Sequence, residues 1–106
     1  MKTREMTIDD LRCAIGWMRH RYGGEMPEEF FPKTGVAACR NDGKLLVVIP
    51  VYFEETSSTA VAGHCMACPE NSPRESRLAV ESAMREVVRY AAARGRRFLV
   101  AIYGKR

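Results

Sequence analysis

The sequence predicts an α/β (α+β) fold, a mixed and mostly antiparallel sheet with one long crossover helix. Residues 36–68 contain three strand-like apolar runs separated by short turns, which is typical of antiparallel neighbours. A long amphipathic segment, 72–93, then leads to a last apolar run, 98–103. Strand, helix and strand in this order indicate a right-handed crossover between parallel strands. The chain of 106 residues is expected to form one domain, 1–106.

The first helix is predicted from a cap and an apolar stripe. Thr7 and Asp10 have the spacing of a capping box, with aspartate in place of glutamate. Apolar residues then recur in steps of three to four: Ile8, Leu11, Ile15, Met18 and Tyr22. Gly23-Gly24 is expected to end the helix, because glycine readily adopts the left-handed C-cap conformation. We expect a short strand before the helix and one helical turn in "PEEFF", 27–31.

The three central runs predict the middle of the sheet. The segments 36–40 and 44–53 flank Asn41-Asp42-Gly43, a compact turn whose glycine can take a positive φ. The second run, "KLLVVIPVYF", is almost continuously apolar, which favours a central strand buried on both faces. Pro50 cannot donate to the ladder, so we expect a bulge or a local distortion there. The third strand is expected at 59–68.

The long helix has the clearest start and end. Ser72 can act as its N-cap, Pro73 suits its first position, and Glu75 can complete a capping box. One half of the helix is apolar and the other half carries charges, among them the favourable i,i+4 pair Glu81–Arg85. Gly95 is expected to end the helix before the last strand.

Positive charge is concentrated in the last third of the chain. Residues 70–106 hold nine Lys or Arg against four Asp or Glu, a balance of +5, whereas the whole chain has a net charge of +4. This segment is therefore expected to attract an anion, such as nucleic acid or a phosphorylated small molecule. An ordinary solvated helix face is the alternative.

The order of these elements, with "REMTIDDL" and "GHCMACPENSPRESRLAVESAMREVVRYAAARGRRFLVAIYG", resembles the GCN5-related N-acetyltransferase (GNAT) superfamily. The resemblance implies that the long helix begins at a site for the pyrophosphate of acetyl-coenzyme A. The phosphate loop of that family reads Arg/Gln-x-x-Gly-x-Gly/Ala. Here Arg74 and Ala79 match its ends, while Arg77 replaces the first glycine. The chain is expected to be a truncated, motif-degenerate member that lacks the usual C-terminal strands.

The expected coenzyme-binding residues lie at the end of the third strand and the start of the long helix. They are Ala67, Cys68, Ser72, Arg74, Glu75, Ser76 and Arg77. The start of the long helix is also expected to bind an anion on general grounds, since a helix start offers free N–H groups and the positive end of the macrodipole. Arginines add charge and forked hydrogen bonds. An ordinary capped helix without a ligand is the alternative.

His64, Cys65 and Cys68 form the second candidate cluster. The resemblance places this strand beside the acetyl site of the family, so His64 is the candidate general base. A Cys-x-x-Cys pair indicates zinc only when a second ligand pair follows, and the remaining candidates are scattered. Side chains alternate along a strand, so Cys65 and Cys68 are expected on opposite faces. We expect no metal and no disulfide here.

Three functions follow from these observations, and the sequence leaves open whether the protein is an enzyme. The first is an N-acetyltransferase that passes acetyl from acetyl-coenzyme A to an unidentified small-molecule or protein amine by direct attack. The second is a non-catalytic interaction or assembly module of the same fold. The third is a basic nucleic-acid adaptor, which is not favoured because no aromatic pair alternates with basic residues.

Location and assembly are also predicted. No apolar run reaches the ~20 residues that cross a bilayer, and no secretory signal is visible, so the cytoplasm without membrane association is expected. The apolar last strand, 98–103, would leave an open sheet edge that attracts another strand. A homodimer is therefore expected, since a symmetric pair covers one patch with its own copy.

Overall fold

The computed structural model describes residues 1–22 and 26–101, and the side chains of 20–22 are outside that description. The elements are β1 (Lys2–Glu5), α1 (Ile8–Tyr22), a 3-10 turn (Glu28–Phe30), β2 (Gly35–Cys39), β3 (Leu45–Phe53), β4 (Thr59–Ala62), β5 (Met66–Ala67), α2 (Pro73–Ala93) and β6 (Phe98–Ala101). The short first strand and the single turn in "PEEFF" are confirmed. The predicted stop at Gly23-Gly24 and residues 102–103 of the last strand lie outside the described residues.

The predicted fold class is confirmed. The sheet has the order β1-β2-β3-β4-β6, and β5 pairs with β3 beside β4. Pairs between β1, β2, β3 and β4 are antiparallel, whereas β6 runs parallel to β4 after the crossover through α2. The predicted third strand, 59–68, is divided into β4 and β5.

The sheet is covered on both faces, because alternate residues of β3 point to opposite helices. Val48 packs in the cluster with Leu11 of α1, whereas Val47 and Ile49 pack in the cluster with Val87 of α2. The continuously apolar sequence of β3 therefore reflects burial on two faces, as predicted. Neither helix in the described part of the chain has the length and hydropathy that crossing a membrane requires.

The capping box at the start of α1 is confirmed. The Asp10 N–H donates to Thr7 Oγ1 at 3.2 Å, and the Thr7 N–H donates to Asp10 Oδ2 at 2.8 Å. The buried face of α1 differs from the predicted apolar stripe at its N-terminal end, because Ile8 is 36% exposed. Ala14 is fully buried and lies with Leu11 and Ile15 in the core instead.

The distortion predicted at Pro50 is not a bulge at that residue. Pro50 pairs in register with Gly35. The register shift lies farther along the ladder, where Ala38 pairs with Val47 but Cys39 pairs with Leu45, so the extra residue is Leu46 of β3. The Val51 N–H points to the side of β2, where it donates to the carbonyl of Thr34, the residue directly before β2, at 2.9 Å. The nitrogen of Pro50 consequently faces the opposite side, where β4 ends. The missing N–H thus falls where the neighbouring strand leaves the ladder.

Helix α2 is bound to the sheet through small residues and a polar group at its C-terminal end. Alanines dominate its buried face, so the helix axis can lie close to β2 and β3: Ala79, Ala83, Val87, Tyr90 and Ala91. Tyr90 Oη and Arg94 Nη2 both donate to Glu5 Oε1, at 3.2 and 2.9 Å. Val88, which the periodicity places on the apolar half, is 55% exposed.

Candidate functional site

The centre of the candidate site is the gap where β4 leaves β3. β4 pairs with β3 at Val51–Phe53, whereas β5 pairs with it nearer the N-terminal end, at Val47 and Val48. Between the two, Gly63 donates its N–H to the Pro50 carbonyl at 2.7 Å, and the chain then leaves the ladder through His64 and Cys65. Because Pro50 has no N–H, no second ladder bond can form at this position.

The outer edge of β5 offers unpaired backbone groups. Among the described residues, β5 pairs with β3 alone, whereas β6 pairs with β4. The Cys68 N–H points towards β3, where it donates to the Leu46 carbonyl at 2.9 Å. Neighbouring amides in a strand point to opposite sides, so the N–H of Ala67 points to the outer edge. A hydrogen-bond donor is thereby exposed at the gap.

The start of α2 is tightly capped. Ser72 Oγ accepts from the Glu75 N–H at 3.1 Å, which confirms the predicted N-cap. Pro73 has no N–H to offer, and the Ser76 N–H donates to the Ser72 carbonyl at 3.0 Å. Of the helical N–H groups in this first turn, the Arg74 N–H is the one left for a ligand. The helix start thus offers an anion fewer amides than the general rule for helix starts predicts.

The predicted capping box is only half formed, because the Glu75 carboxylate turns away from Ser72. It accepts from Arg40 Nε and Arg40 Nη2, both at 3.1 Å. Arg40 follows β2, so this forked pair connects the helix start to the sheet. It also removes a free negative charge from the place where a phosphate would bind.

Asn71 is a residue of this turn that sequence reasoning missed. Its Nδ2 donates to the Leu46 carbonyl at 2.9 Å, and its N–H donates to the Cys68 carbonyl at 3.1 Å. These bonds determine how the chain passes from β5 to α2. Asparagine in a turn is common, and only its contact with Leu46, 25 residues earlier in the chain, shows its role.

Arg74 and Arg77 extend into solvent from the first turns of α2. Neither makes a hydrogen bond or ion pair with another described residue. The hexapeptide Arg74–Ala79 that resembles the phosphate loop lies wholly inside α2, which begins at Pro73. Its amides from Ser76 onwards are therefore within the helix, and its two arginines supply charge rather than backbone donors.

The histidine and the cysteines do not form a common site. His64 and Cys65 are exposed, whereas Cys68 is buried. No group of three His, Cys, Asp or Glu side chains within residues 1–19 and 26–101 is arranged to hold a metal ion. None of the four cysteines forms a disulfide in this structure.

Comparisons with known proteins find no match to a protein-family model and no significant match among curated sequences. Solved structures do match. A probable acetyltransferase has a TM-score of 0.72 at 14% identity, over 98% of this chain and 80% of that one. The ribosomal-protein-alanine N-acetyltransferase from Brucella melitensis biovar Abortus 2308 has a TM-score of 0.68 at 13% identity, over 99% and 82% of the chains.

A third structure is an aminoglycoside N-acetyltransferase in complex with CoA. It has a TM-score of 0.63 at 13% identity, over 97% of this chain and 76% of that one. At such low identities these likenesses establish the fold, and function has to be argued from the site.

Proposed function

We propose that this chain, whose fold is that of the GNAT acetyltransferases, binds acetyl-coenzyme A and transfers its acetyl group to an amine. The observation that carries the proposal is the unpaired edge of β5, which lies directly before the start of α2. An elongated ligand with phosphates at one end could meet the helix start and the strand edge together. The coenzyme would supply the acetyl group in activated form, as a thioester.

Each predicted coenzyme-binding residue has a role in this proposal. The Ala67 N–H donates towards the thioester carbonyl oxygen, where a fixed donor stabilises developing negative charge. Arg74 and Arg77 bind phosphate oxygens, with the half-buried Ser76 hydroxyl beside them. Cys68, whose N–H is bound to Leu46, keeps β5 in place.

The two remaining residues shape the helix start. Ser72 caps α2 through the bond from the Glu75 N–H. Glu75 is kept away from the phosphates by Arg40. Without that pair, its carboxylate would repel an anion at the same helix end.

His64 is the proposed general base. It is exposed in the segment between β4 and β5, next to Gly63 at the gap. From that position an imidazole could take the proton that the amine loses as it attacks, a role that histidine fills most often in enzymes. No metal is proposed to take part.

The two arginines provide the first test. Acetyl-coenzyme A is expected to raise the melting temperature of the unmutated protein, because a ligand that binds only the folded state stabilises it. Replacing both Arg74 and Arg77 with alanine is expected to weaken binding by about 1.5–3 kcal/mol for each charge-assisted hydrogen bond lost. Titration calorimetry measures the affinity.

Arg85→Ala is the matched control, because Arg85 is an exposed arginine farther along the same helix. Its affinity for the coenzyme should equal that of the unmutated protein. No heat and no change in melting temperature at millimolar acetyl-coenzyme A would argue against the proposal.

A non-catalytic module of the same fold is the second candidate. The observation that favours it is the helix start, where Pro73 and the Ser72 cap leave the Arg74 N–H as the available helical donor. Arg77 also stands where the related motif has a glycine, which reduces how closely the backbone can approach a phosphate. Failure of the calorimetric test would make this function the preferred one.

The nucleic-acid adaptor has less support, because several basic side chains of the last third are engaged. Arg94 binds Glu5, Arg89 binds Glu86, and Arg96 donates to backbone carbonyls of the loop after β3. A cytoplasmic location remains an expectation of the sequence.

We further propose that the protein is a homodimer. β6 is one of the edge strands of the described sheet, and Phe98 and Val100 on it are 61% and 52% exposed. An edge with exposed apolar side chains favours pairing with another strand. Ile102, which the sequence reasoning included in this strand, lies outside the described residues.

Val100→Lys is expected to shift the dimer towards monomer, because the substitution places a charge on the proposed contact surface. Sedimentation velocity at several protein concentrations measures the proportions of monomer and dimer. Val88→Lys is the control, since Val88 is equally exposed on α2, with 55% accessible. A monomer at all concentrations in the unmutated protein would refute the proposal.

A further inference from the structure

The turn between β2 and β3 reaches the start of α2 through two basic side chains. Arg40 precedes the turn and binds Glu75, with Nε and Nη2 each 3.1 Å from a carboxylate oxygen. Lys44 follows the turn and binds Glu70 at 3.0 Å. Glu70 lies between β5 and α2, and Glu75 lies in the first turn of α2. One hairpin turn therefore holds both carboxylates that flank the proposed phosphate site.

These two contacts decide the charge that the helix start presents to a ligand. The segment 70–77 contains two arginines and two glutamates, so by itself it has no net charge. An anion placed there would meet two carboxylates as well as two guanidinium groups. Asp42 in the hairpin turn is engaged too, because its Oδ1 accepts from the Lys44 N–H at 3.0 Å. With both glutamates paired, the charge left for a ligand is that of Arg74 and Arg77.

The pair between Arg40 and Glu75 is the stronger of the two. The Glu75 side chain is 25% exposed, whereas that of Glu70 is 78% exposed, and exposed ion pairs contribute little. Arg40 also binds with two donors at once, which fixes the direction of the carboxylate.

The alternative position of the Glu75 carboxylate is the capping box. Released from Arg40, a glutamate at this helix position would return to the N-cap and accept from the Ser72 N–H. Its charge would then occupy the positive end of the helix dipole, where a phosphate would bind. Glu75 is thus a competing anion within the same chain, and Arg40 removes it from the site.

We infer that the turn between β2 and β3 is a positioning element of the phosphate site, in which Arg40 has the main role and Lys44 a secondary one. This inference rests on the proposed binding of acetyl-coenzyme A. Arg40 acts through Glu75 rather than through contact with the ligand. The turn thereby sets the affinity of α2 for a phosphate, although it lies outside the segment that resembles the phosphate loop.

The inference is tested with inorganic pyrophosphate by titration calorimetry. Arg40→Ala is expected to weaken binding about fivefold, the effect of one unit charge at roughly 4 Å in water. Arg40→Ala combined with Glu75→Gln should restore the parent affinity, because the competing charge is removed together with its partner. Glu75→Gln alone should bind at least as tightly as the parent. Lys44→Ala should have a smaller effect than Arg40→Ala.

Two controls separate this electrostatic role from a structural one. Arg12 binds Glu28 at 2.6 Å and lies on α1, which packs on the opposite face of the sheet from α2. Arg12→Ala, which removes the same charge from the chain, should leave the affinity unchanged. The difference between Arg40→Ala and the parent should shrink as salt is raised to about 1 M, where the Debye length is about 3 Å. Thermal melts confirm that each variant is folded.

The inference is overturned if Arg40→Ala binds pyrophosphate as tightly as the parent, or if the double substitution stays as weak as Arg40→Ala. It is also overturned if the unmutated protein binds no pyrophosphate. Calorimetry with acetyl-coenzyme A tests the proposed function separately. Pyrophosphate results as expected, without binding of acetyl-coenzyme A, would leave the role of Arg40 in place and count against acetyl transfer.

Discussion

Replacing Gly35 with alanine is expected to lower the free energy of unfolding by about 3 kcal/mol, the upper part of the range for overpacked sites. A Cβ on Gly35 would lie 2.5 Å from the Ile49 carbonyl oxygen and 2.9 Å from the Pro50 Cα. Both are backbone atoms of the central strand, so no side-chain rotation relieves the contact. The Gly35 carbonyl also accepts from the Met6 N–H at 2.9 Å, so a shift of β2 disturbs the start of α1.

Gly16→Ala is the matched control for this prediction. Gly16 lies within α1, and a Cβ there would have no atom within 4 Å. Alanine should therefore stabilise the helix by about 0.5–1 kcal/mol. Chemical denaturation of both variants gives the two free energies. A Gly35→Ala protein as stable as its parent would mean that β2 and β3 lie farther apart than in this structure.

The second large effect is expected at Asp10, where asparagine should lower the free energy of unfolding by about 2 kcal/mol. Asp10 is 6% exposed. Its carboxylate accepts from the Thr7 N–H and forms a forked pair with Arg4, in which Nη2 donates at 2.9 Å. Asparagine retains part of the cap but loses the charge. The Arg4 side chain is 46% exposed, so solvent screens the ion pair and reduces its contribution to the free energy of unfolding.

This contribution is expected to depend on pH. Burial alone would raise the pKa of Asp10, but the hydrogen bonds from Arg4 and Thr7 outweigh it, so the pKa lies below its ordinary value. The stabilisation is therefore present at neutral pH and is lost as the pH falls below about 4, through the pKa of the folded state.

Unfolding of the parent and of Asp10→Asn across this acidic range measures the effect. Their difference in stability should shrink as the pH falls. Asp9→Asn is the control, because Asp9 is an exposed acid in the same first turn. A difference between Asp10→Asn and parent that stays constant down to pH 2 would contradict the assignment.

Much of the framework could be predicted because its causes lie within a few residues. The Thr7–Asp10 cap, the Ser72 cap and the turn at Gly43, whose φ is +95°, depend on neighbours in the chain. The crossover through α2 follows from the order of strand and helix patterns. The sequence proposes a candidate site at the start of α2 for the same reason, since a helix start is a local feature.

The details of the site could not be predicted from local patterns. The partner of the Glu75 carboxylate is Arg40, 35 residues earlier, and no local signal distinguishes that pair from the capping box. The pattern at 59–68 is that of one strand, and only its pairing with β3 divides it at Gly63. Tyr52 likewise gains its place at the gap through Gly63 and Phe30.

The sequence by itself therefore determined the fold class and the order of the elements, although not the division of 59–68 into two strands. Caps, glycine turns and apolar periodicity act over one or two turns of chain, where residue types alone decide the outcome. The tertiary structure alone decided which backbone amides stay unpaired, which arginines remain free and which apolar side chains face solvent. Those properties depend on sheet register and on contacts between distant segments, which form only when the whole chain packs.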